Sequence, residues 1–289
     1  PFESRLVCAS SKNRTSPQLH TNFNLSKSSG YVALTRPDGS VASGYTYGAQ
    51  SEDVSYGIMG ASLATGFLAT PTPGYANLGI QSPSGPAADV VFSAPSGVFG
   101  APFSLSLSLP AGTPGTAMIR YTTDLSEPLE TSATYTAPIT VTNSTTVRAR
   151  VFLPDHLPGA IGNRHFIRIG TNLTADYRST GQPFRSNLPV LVLDSFGINV
   201  DANTSQGAPY RTTLAAIYEP DVGTGMTSLG SAPAMVQRGG THVRGQSSAT
   251  FPQRQYAWEL WREHIGEDEN VSLLGMSEGA DGELHAPWH

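Results

Sequence analysis

The most regular hydrophobic pattern in the chain lies at residues 103–109, where large apolar side chains alternate with serines. The alternating apolar residues are Phe103, Leu105, Leu107 and Leu109. A period of two places them on one side of an extended strand and the serines on the other, so the pattern predicts a strand with one buried and one solvated face. The same logic predicts strands at Met118–Thr123 and Thr145–Phe152, which together indicate a β-sandwich of about eighty residues.

Strand patterns also occur on both sides of this region. Tyr31–Leu34 runs into Pro37-Asp38-Gly39, a turn sequence that predicts a hairpin with the residues from Val41 onward. The nearly unbroken apolar run Leu188–Leu193 predicts a strand buried on both faces, and Tyr210–Tyr218 predicts another strand. The pattern as a whole predicts a mainly β chain.

Composition supports this prediction and excludes several functions. Charged residues make up 13% of the 289 residues, while 30 glycines and 22 prolines favour turn-rich β-structure. The formal net charge of −5 argues against binding to nucleic acid or to an anionic membrane surface, and no apolar run is long enough for a membrane span. Cys8 is the single cysteine and cannot form a disulfide within the chain.

The richest chemistry lies between Gln237 and Trp261, where glycines, hydroxyls and arginines separate two strand-like runs. Gly239 and Gly240 open the stretch, and the second run alternates with Tyr256, Trp258 and Leu260 on one face. Glycine lets backbone N–H groups approach a phosphate and arginine supplies a charged fork, so the stretch can hold an anion. An ordinary hairpin with a polar tip explains the same pattern.

Four pieces of the C-terminal region resemble the start of the CotH (spore-coat protein H) kinase family. They are Asn187–Gly197, Val243–Ser248, Phe251–Trp261 and Ser272–Met276. The resemblance implies an atypical kinase fold that uses ATP and a divalent metal in a complete member. It also implies a role in contacting nucleotide phosphates for five residues of the hairpin. These residues are Arg244, Gly245, Ser247, Ser248 and Arg254.

Two departures from the family pattern bear on activity. The family carries two lysines where this chain has Gln253 and Arg254, and the only lysines are Lys12 and Lys27. The acidic second lobe of a kinase is not reached before His289, so no catalytic residue is assigned and the fragment is expected to be inactive, with neither ATP nor metal bound.

Two further segments resemble known domains. Residues 1–80 resemble the second half of a lamin-tail domain, an immunoglobulin-like β-sandwich, so we expect an unpaired sheet edge and half a core there. Residues 89–169 resemble the chitobiase C-terminal, fibronectin-III-like module, a β-sandwich found in secreted multidomain proteins. We therefore predict a linker at 81–88, a connector at 170–185 and a truncated CotH-kinase-like domain at 186–289. The predicted fold class is mainly β and multidomain, with two sandwiches followed by the β-rich start of a kinase-like lobe.

Several polar residues have both a functional and a structural interpretation. Carboxylates at Asp38, Glu52 and Asp53 are calcium ligands in one interpretation and turn residues in the other, which is favoured because no dense ligand loop is present. Tyr121 and Tyr135 are either a sugar platform or, as their alternation favours, buried tyrosines. Asp194, at the end of a strand, is favoured as a turn residue.

The resemblances lead to two functional hypotheses. In the first, the parent protein transfers phosphate from ATP to envelope or secreted proteins. In the second, it is a surface scaffold or an adhesion protein that binds polysaccharide, with a pseudokinase-like region. Both place it outside the cell or at the cell surface, without nucleic-acid partners and without a membrane span in this fragment.

Overall fold

Strands make up 42% of the computed structural model and helices 4%, which confirms the predicted mainly β class. The structure describes residues 5–51, 54–59, 64–77, 79–202, 209–245, 254–262 and 267–284. Its contacts group the chain into two compact units. The first comprises 1–88, 112–118 and 151–160, and the second comprises 89–111, 119–150 and 161–289.

The N-terminal strands form three small sheets. The strands are β1 (Val7–Cys8), β2 (Leu19–His20), β3 (Gly30–Thr35), β4 (Val41–Tyr47), β5 (Ser55–Ile58), β6 (Thr65–Leu68) and β7 (Gln81–Ser82). The predicted hairpin is confirmed as β3 and β4, and its turn places Gly39 at φ 86°, where glycine avoids the Cβ clash. The sheet of β5, β6 and β7 is antiparallel, whereas β1 and β2 pair in parallel.

The central region forms the predicted sandwich. Its strands are β8 (Val91–Phe92), β9 (Gly97–Phe99), β10 (Phe103–Leu105), β11 (Leu107–Ser108), β12 (Met118–Thr122), β13 (Ala133–Thr134), β14 (Ile139–Val141), β15 (Thr145–Phe152) and β16 (Gly162–Arg168). The larger sheet has the order β13-β12-β15-β16-β9, and the remaining strands form two further pairs, β10 with β14 and β11 with β8. Leu105 and Leu107 are buried, as the alternation predicts.

The single strand predicted over residues 103–109 is wrong in one respect, because it breaks at Ser106 into β10 and β11. Ser106 exchanges hydrogen bonds with Ser93 instead: its N–H donates to Ser93 Oγ (2.8 Å), and its carbonyl accepts from Ser93 N–H (2.9 Å). The backbone therefore changes partners between the two halves while the apolar face stays buried.

The C-terminal region contains a five-stranded antiparallel sheet of order β18-β19-β21-β22-β23. The elements are α1 (Thr171–Thr174), 3₁₀ turns at Tyr177–Ser179 and Val200–Ala202, β17 (Arg185–Ser186), β18 (Val190–Asp194), β19 (Arg211–Tyr218), β20 (Thr227–Ser228), β21 (Met235–Arg244), β22 (Gln255–Leu260) and β23 (Asp281–Leu284). The prediction that Leu188–Leu193 is buried on both faces is wrong. Leu188 is exposed and β18 is half-buried throughout, because β18 is an edge strand with a neighbour on one side only.

The two faces of this sheet carry separate apolar clusters. On face A, defined by Leu214, Ala216 and Tyr218 of β19, the cluster includes Ile167 of β16. Face B, defined by Ala215 and Ile217, carries a second cluster of buried side chains. Its other members are Trp258, Leu260 and Leu273. The cross-strand register places alternate residues of β22 on opposite faces, which confirms the alternation predicted there.

Candidate functional site

The hairpin predicted to hold an anion is formed by β21 and β22. Arg244 is the last residue of β21, and Gly245 follows it with φ 91°, a left-handed conformation that suits glycine. Arg254 directly precedes β22. Ser247 and Ser248 lie outside the described residues, so their predicted role as phosphate ligands stays a prediction.

The two arginines point to opposite faces of the sheet. Arg244 pairs across the hairpin with Gln255, so it shares face A with that residue, whereas Arg254 precedes Gln255 by one position and shares face B. Arg244 forms an ion pair with Glu283 of β23, and Arg254 forms one with Asp201 (3.6 Å). The structure therefore does not bring the two guanidinium groups together, and each already faces a carboxylate of the chain.

Asp201 is the centre of a small polar cluster on face B. Its backbone carbonyl accepts a hydrogen bond from Arg254 Nη1 (2.9 Å), and its Oδ1 accepts one from the Tyr256 hydroxyl (2.7 Å). Burial raises the pKa of Tyr256, and the hydrogen bond to Asp201 adds to this rise. Sequence reasoning missed Asp201 because it lies 53 residues before Arg254, where no local pattern signals the pairing.

Gly239 and Gly240 allow the strands to pack closely, which is a different role from an approach to phosphate. A Cβ on Gly239 would lie 3.0 Å from the carbonyl carbon of Glu259 on the neighbouring strand and closer still to its oxygen. A Cβ on Gly240 would lie 2.6 Å from Cη2 of Trp261 and 2.7 Å from Cβ of Tyr210. Both glycines are therefore explained by the packing of β21 against its neighbours.

Aromatic and acidic side chains meet on face A near the same hairpin. The ring of Tyr210 lies edge-on to His242 (4.6 Å between centroids) and to Trp261 (6.3 Å). Nδ1 of His242 donates to the carbonyl oxygen of Val243 (2.8 Å), since a carbonyl only accepts, and this bond orients the ring.

Two carboxylates oppose each other on that face. Glu259 of β22 is directly opposite Asp281 of β23, and like charges in such a cross-strand pair are unfavourable. Burial raises the pKa of Glu259, and the Asp281 carboxylate raises it further. Within the described ranges, no group of three or more His, Cys, Asp or Glu residues has a geometry that could hold a metal ion.

The turn interpretation of Asp38 and Asp194 agrees with their contacts. Asp38 Oδ1 accepts hydrogen bonds from the N–H (2.9 Å) and hydroxyl (2.7 Å) of Ser40, and these bonds lower the pKa of the carboxyl. Asp194 Oδ1 accepts from the Phe196 N–H (2.8 Å), and its Oδ2 accepts from the Ser144 hydroxyl (2.5 Å). The other two calcium candidates, Glu52 and Asp53, lie outside the described residues.

Tyr121 and Tyr135 lie close together in the sandwich but are half-buried, which is less than the favoured interpretation predicts. Their ring centroids are 6.3 Å apart with the planes 80° from parallel. Edge-to-face rings stabilise each other but do not form one flat surface for a sugar ring. The pair therefore serves packing more than it serves as a platform.

The segment that contains this pair matches a known family model. It begins just before β9 and includes the strands through β15, whereas β8 and β16 of the sandwich lie outside it. Residues 94–160 match the chitobiase/beta-hexosaminidase C-terminal domain. This chitobiase-type domain lies within the predicted 89–169 region and confirms that part of the resemblance.

The remaining resemblances have no such support. No curated protein and no solved structure matched the chain. The lamin-tail and CotH resemblances, which lie on either side of the chitobiase-type domain, therefore stay predictions. In the part of the chain that the structure describes, no helix has the length and apolar character needed to cross a membrane.

Proposed function

We propose that this chain is part of a secreted or surface multidomain protein that binds carbohydrate, and that the described strands form a non-catalytic scaffold. The observation that carries the proposal is the chitobiase-type domain at residues 94–160, whose name relates it to carbohydrate-associated proteins. A β-sandwich has rigid strands that position binding loops, which suits a module that holds other parts against a polysaccharide.

The electrostatics of the C-terminal hairpin support the non-catalytic part of this proposal. Arg244 and Arg254 are each paired with a carboxylate, and they lie on opposite faces of the sheet. A nucleotide phosphate bound by both would have to displace Glu283 and Asp201 and reach around the strand. The two arginines are therefore better explained as partners in structural ion pairs than as ligands of a triphosphate.

Adsorption to insoluble polysaccharides tests the carbohydrate proposal. Residues 1–289 are mixed with chitin, cellulose or xylan, and the protein left in the supernatant is measured. We expect depletion on at least one polymer, reversed by a soluble oligosaccharide of the same sugar. The proposal fails if the folded protein remains in solution with all three polymers.

A kinase function of the parent protein is the second candidate, and it rests on the resemblance of the C-terminal region to the CotH kinase family. Kinases hold a cation of the sheet against a carboxylate when they bind ATP, and Arg254, which faces Asp201 just before β22, is the nearest equivalent in this chain. In that proposal, Arg254 and Arg244 would contact the nucleotide phosphates and a divalent metal would neutralise them. The acidic residues that hold such a metal are expected from a second lobe.

A thermal-shift titration separates the two candidates. For a scaffold, ATP with Mg²⁺ should move the melting temperature of residues 1–289 by no more than about 1–2 °C, since weak ligands stabilise little. A shift of about 10 °C that disappears in Arg254→Ala would reveal a preformed nucleotide site and favour the kinase. Arg168→Ala is the control for nonspecific loss of a partly exposed positive charge.

A further inference from the structure

A cavity of about 400 Å³ opens beside the β3–β4 hairpin in the first unit. Ten residues line it: Leu25, Ser26, Val32, Tyr45, Tyr47, Gln50, Tyr56, Gly57, Ile58 and Asn77. The volume falls within the range of roughly 300–1,000 Å³ that is typical of small-molecule sites. We name this cavity the tyrosine pocket.

Backbone register explains how the rings converge. Tyr45 and Tyr47 are two residues apart on β4, so both point to the same face, and Val32 is the cross-strand neighbour of Tyr45 on that face. Gly30 lies opposite Tyr47, where a Cβ would come within 2.6 Å of the Tyr47 ring carbon Cζ. The glycine therefore leaves room for the ring of Tyr47, which is buried, to lie against the hairpin.

Hydrogen bonds and ring contacts hold the remaining walls in place. The Tyr56 hydroxyl donates to Thr65 Oγ1 (3.0 Å), and its ring lies edge-on to Phe67 at 5.0 Å. The Asn77 amide donates to the carbonyl of Ile58 (2.9 Å). The pocket walls are therefore fixed before any ligand arrives, which lowers the entropic cost of binding.

The lining decides the class of ligand. None of the ten side chains carries a charge at neutral pH, so these lining residues offer an ionic ligand no charged partner to replace its hydration. The tyrosine rings offer flat apolar faces, and Gln50, Asn77 and Ser26 place amides and a hydroxyl at the same cavity. Gln50 Nε2 donates to the Gly48 carbonyl (2.9 Å). No hydrogen bond from a described residue reaches Gln50 Oε1, so this oxygen can accept one from a ligand hydroxyl.

A ring with an apolar face and a hydroxylated edge matches these features. We propose that the tyrosine pocket binds a neutral pyranose, with the sugar ring against Tyr45 and its hydroxyls hydrogen-bonded to Gln50. An apolar side chain from another protein would fill the volume but leave the polar groups of Gln50 unused. The pocket lies in a different part of the chain from the chitobiase-type domain.

Saturation-transfer NMR and calorimetry with soluble disaccharides test this proposal. The probes are N,N′-diacetylchitobiose and cellobiose, with a diglucuronic acid as the charged comparison. We expect at least one neutral disaccharide to bind and the charged one to bind at least tenfold more weakly. Absence of binding by both neutral disaccharides would overturn the proposal.

Matched variants locate the binding. Tyr45→Ala should weaken binding about tenfold, since the contact of one aromatic ring is worth about 1.4 kcal/mol, while Tyr45→Phe should retain most of it. Tyr31→Ala is the control, because Tyr31 belongs to the same hairpin, points to the other face and is 61% exposed. Equal weakening by Tyr45→Ala and Tyr31→Ala would place the sugar elsewhere and overturn the proposal.

Two outcomes keep this inference separate from the proposed function. If Tyr45→Ala lowers the melting temperature sharply, Gln50→Ala is used instead in the disaccharide-binding test, because Gln50 lies in a loop and truncating its side chain leaves the tyrosine rings in place. Adsorption to polysaccharide without binding of either neutral disaccharide would sink the tyrosine pocket but leave the scaffold proposal standing. Binding of soluble disaccharide without adsorption would do the reverse.

Discussion

Replacing Gly239 by alanine is the sharpest test of how the C-terminal sheet is packed. Gly239 pairs with Leu260 across the β21–β22 ladder, and an added Cβ would lie 3.0 Å from the carbonyl carbon of Glu259 and nearer to its oxygen. Those atoms belong to the backbone of a central strand, so no rotamer change can relieve the overlap. The two strands would have to separate and stretch their hydrogen bonds.

The expected cost is about 3 kcal/mol, at the upper end for inserting a methyl group into a packed site. For a unit of this size the melting temperature should fall by roughly 6–12 °C. Gly97→Ala is the matched control, because Gly97 also lies in a strand, β9, and a Cβ there would meet no atom within 4 Å. That variant should be neutral or more stable by up to about 1 kcal/mol, since alanine restricts the unfolded chain.

Thermal unfolding followed by tryptophan fluorescence measures both variants. Trp258 and Trp261 belong to the C-terminal sheet region, so their emission reports on the unit that contains Gly239. If Gly239→Ala melts within about 1 °C of the parent protein, the close approach of β21 and β22 is not what requires glycine here. A role for the glycine in ligand binding would then regain support.

Three further predictions follow from titratable groups and ion pairs. Burial raises the pKa of Glu259 in the folded protein, and the opposed Asp281 raises it further, so the protein loses stability as the pH rises through this pKa and the carboxyl ionises. Glu259→Gln removes the titrating group and should therefore stabilise the protein more at pH 8 than at pH 4, as measured by urea unfolding. Burial lowers the pKa of His165 to about 3, so this residue favours folding above its usual pKa of 6.5 and opposes it as pH falls toward 3. In His165→Gln the melting temperature should therefore fall less steeply as the pH is lowered from 6.5, and an unchanged pH dependence would contradict this. Asp201→Asn should lower the free energy of unfolding, measured by urea denaturation, by less than about 1 kcal/mol, because the ion pair of Asp201 with Arg254 is partly exposed. A larger loss would show that Asp201 organises the hairpin.

Much of the strand content could be predicted from local periodicity. The strand Thr145–Phe152 begins and ends at the predicted residues, and the hairpin around Gly39 follows from a turn that needs a left-handed residue. Period-two patterns and turn residues act over a few positions, so they are visible in the sequence alone. The resemblance to the chitobiase-type domain likewise rests on residues within one continuous segment, and residues 94–160 match that family model.

Other features depend on which strands become neighbours. The run Leu188–Leu193 has the composition of a central strand, but β18 became an edge strand and stayed half-buried because the sheet order gives it one neighbour. Ser106 interrupts an otherwise regular strand because Ser93, thirteen residues earlier, binds its backbone.

The candidate sites show the same division most clearly. Sequence determined that Arg244 and Arg254 flank a turn between two strands, and it determined that a hairpin joins Tyr31–Leu34 to the residues from Val41 onward. Only the tertiary structure decided that the arginines meet Glu283 and Asp201 on opposite sides of a sheet, and that tyrosines of the hairpin line a cavity. The physical reason is that charge pairing and cavity shape arise between segments far apart in the chain, whereas a pattern of side chains specifies only which way each segment faces.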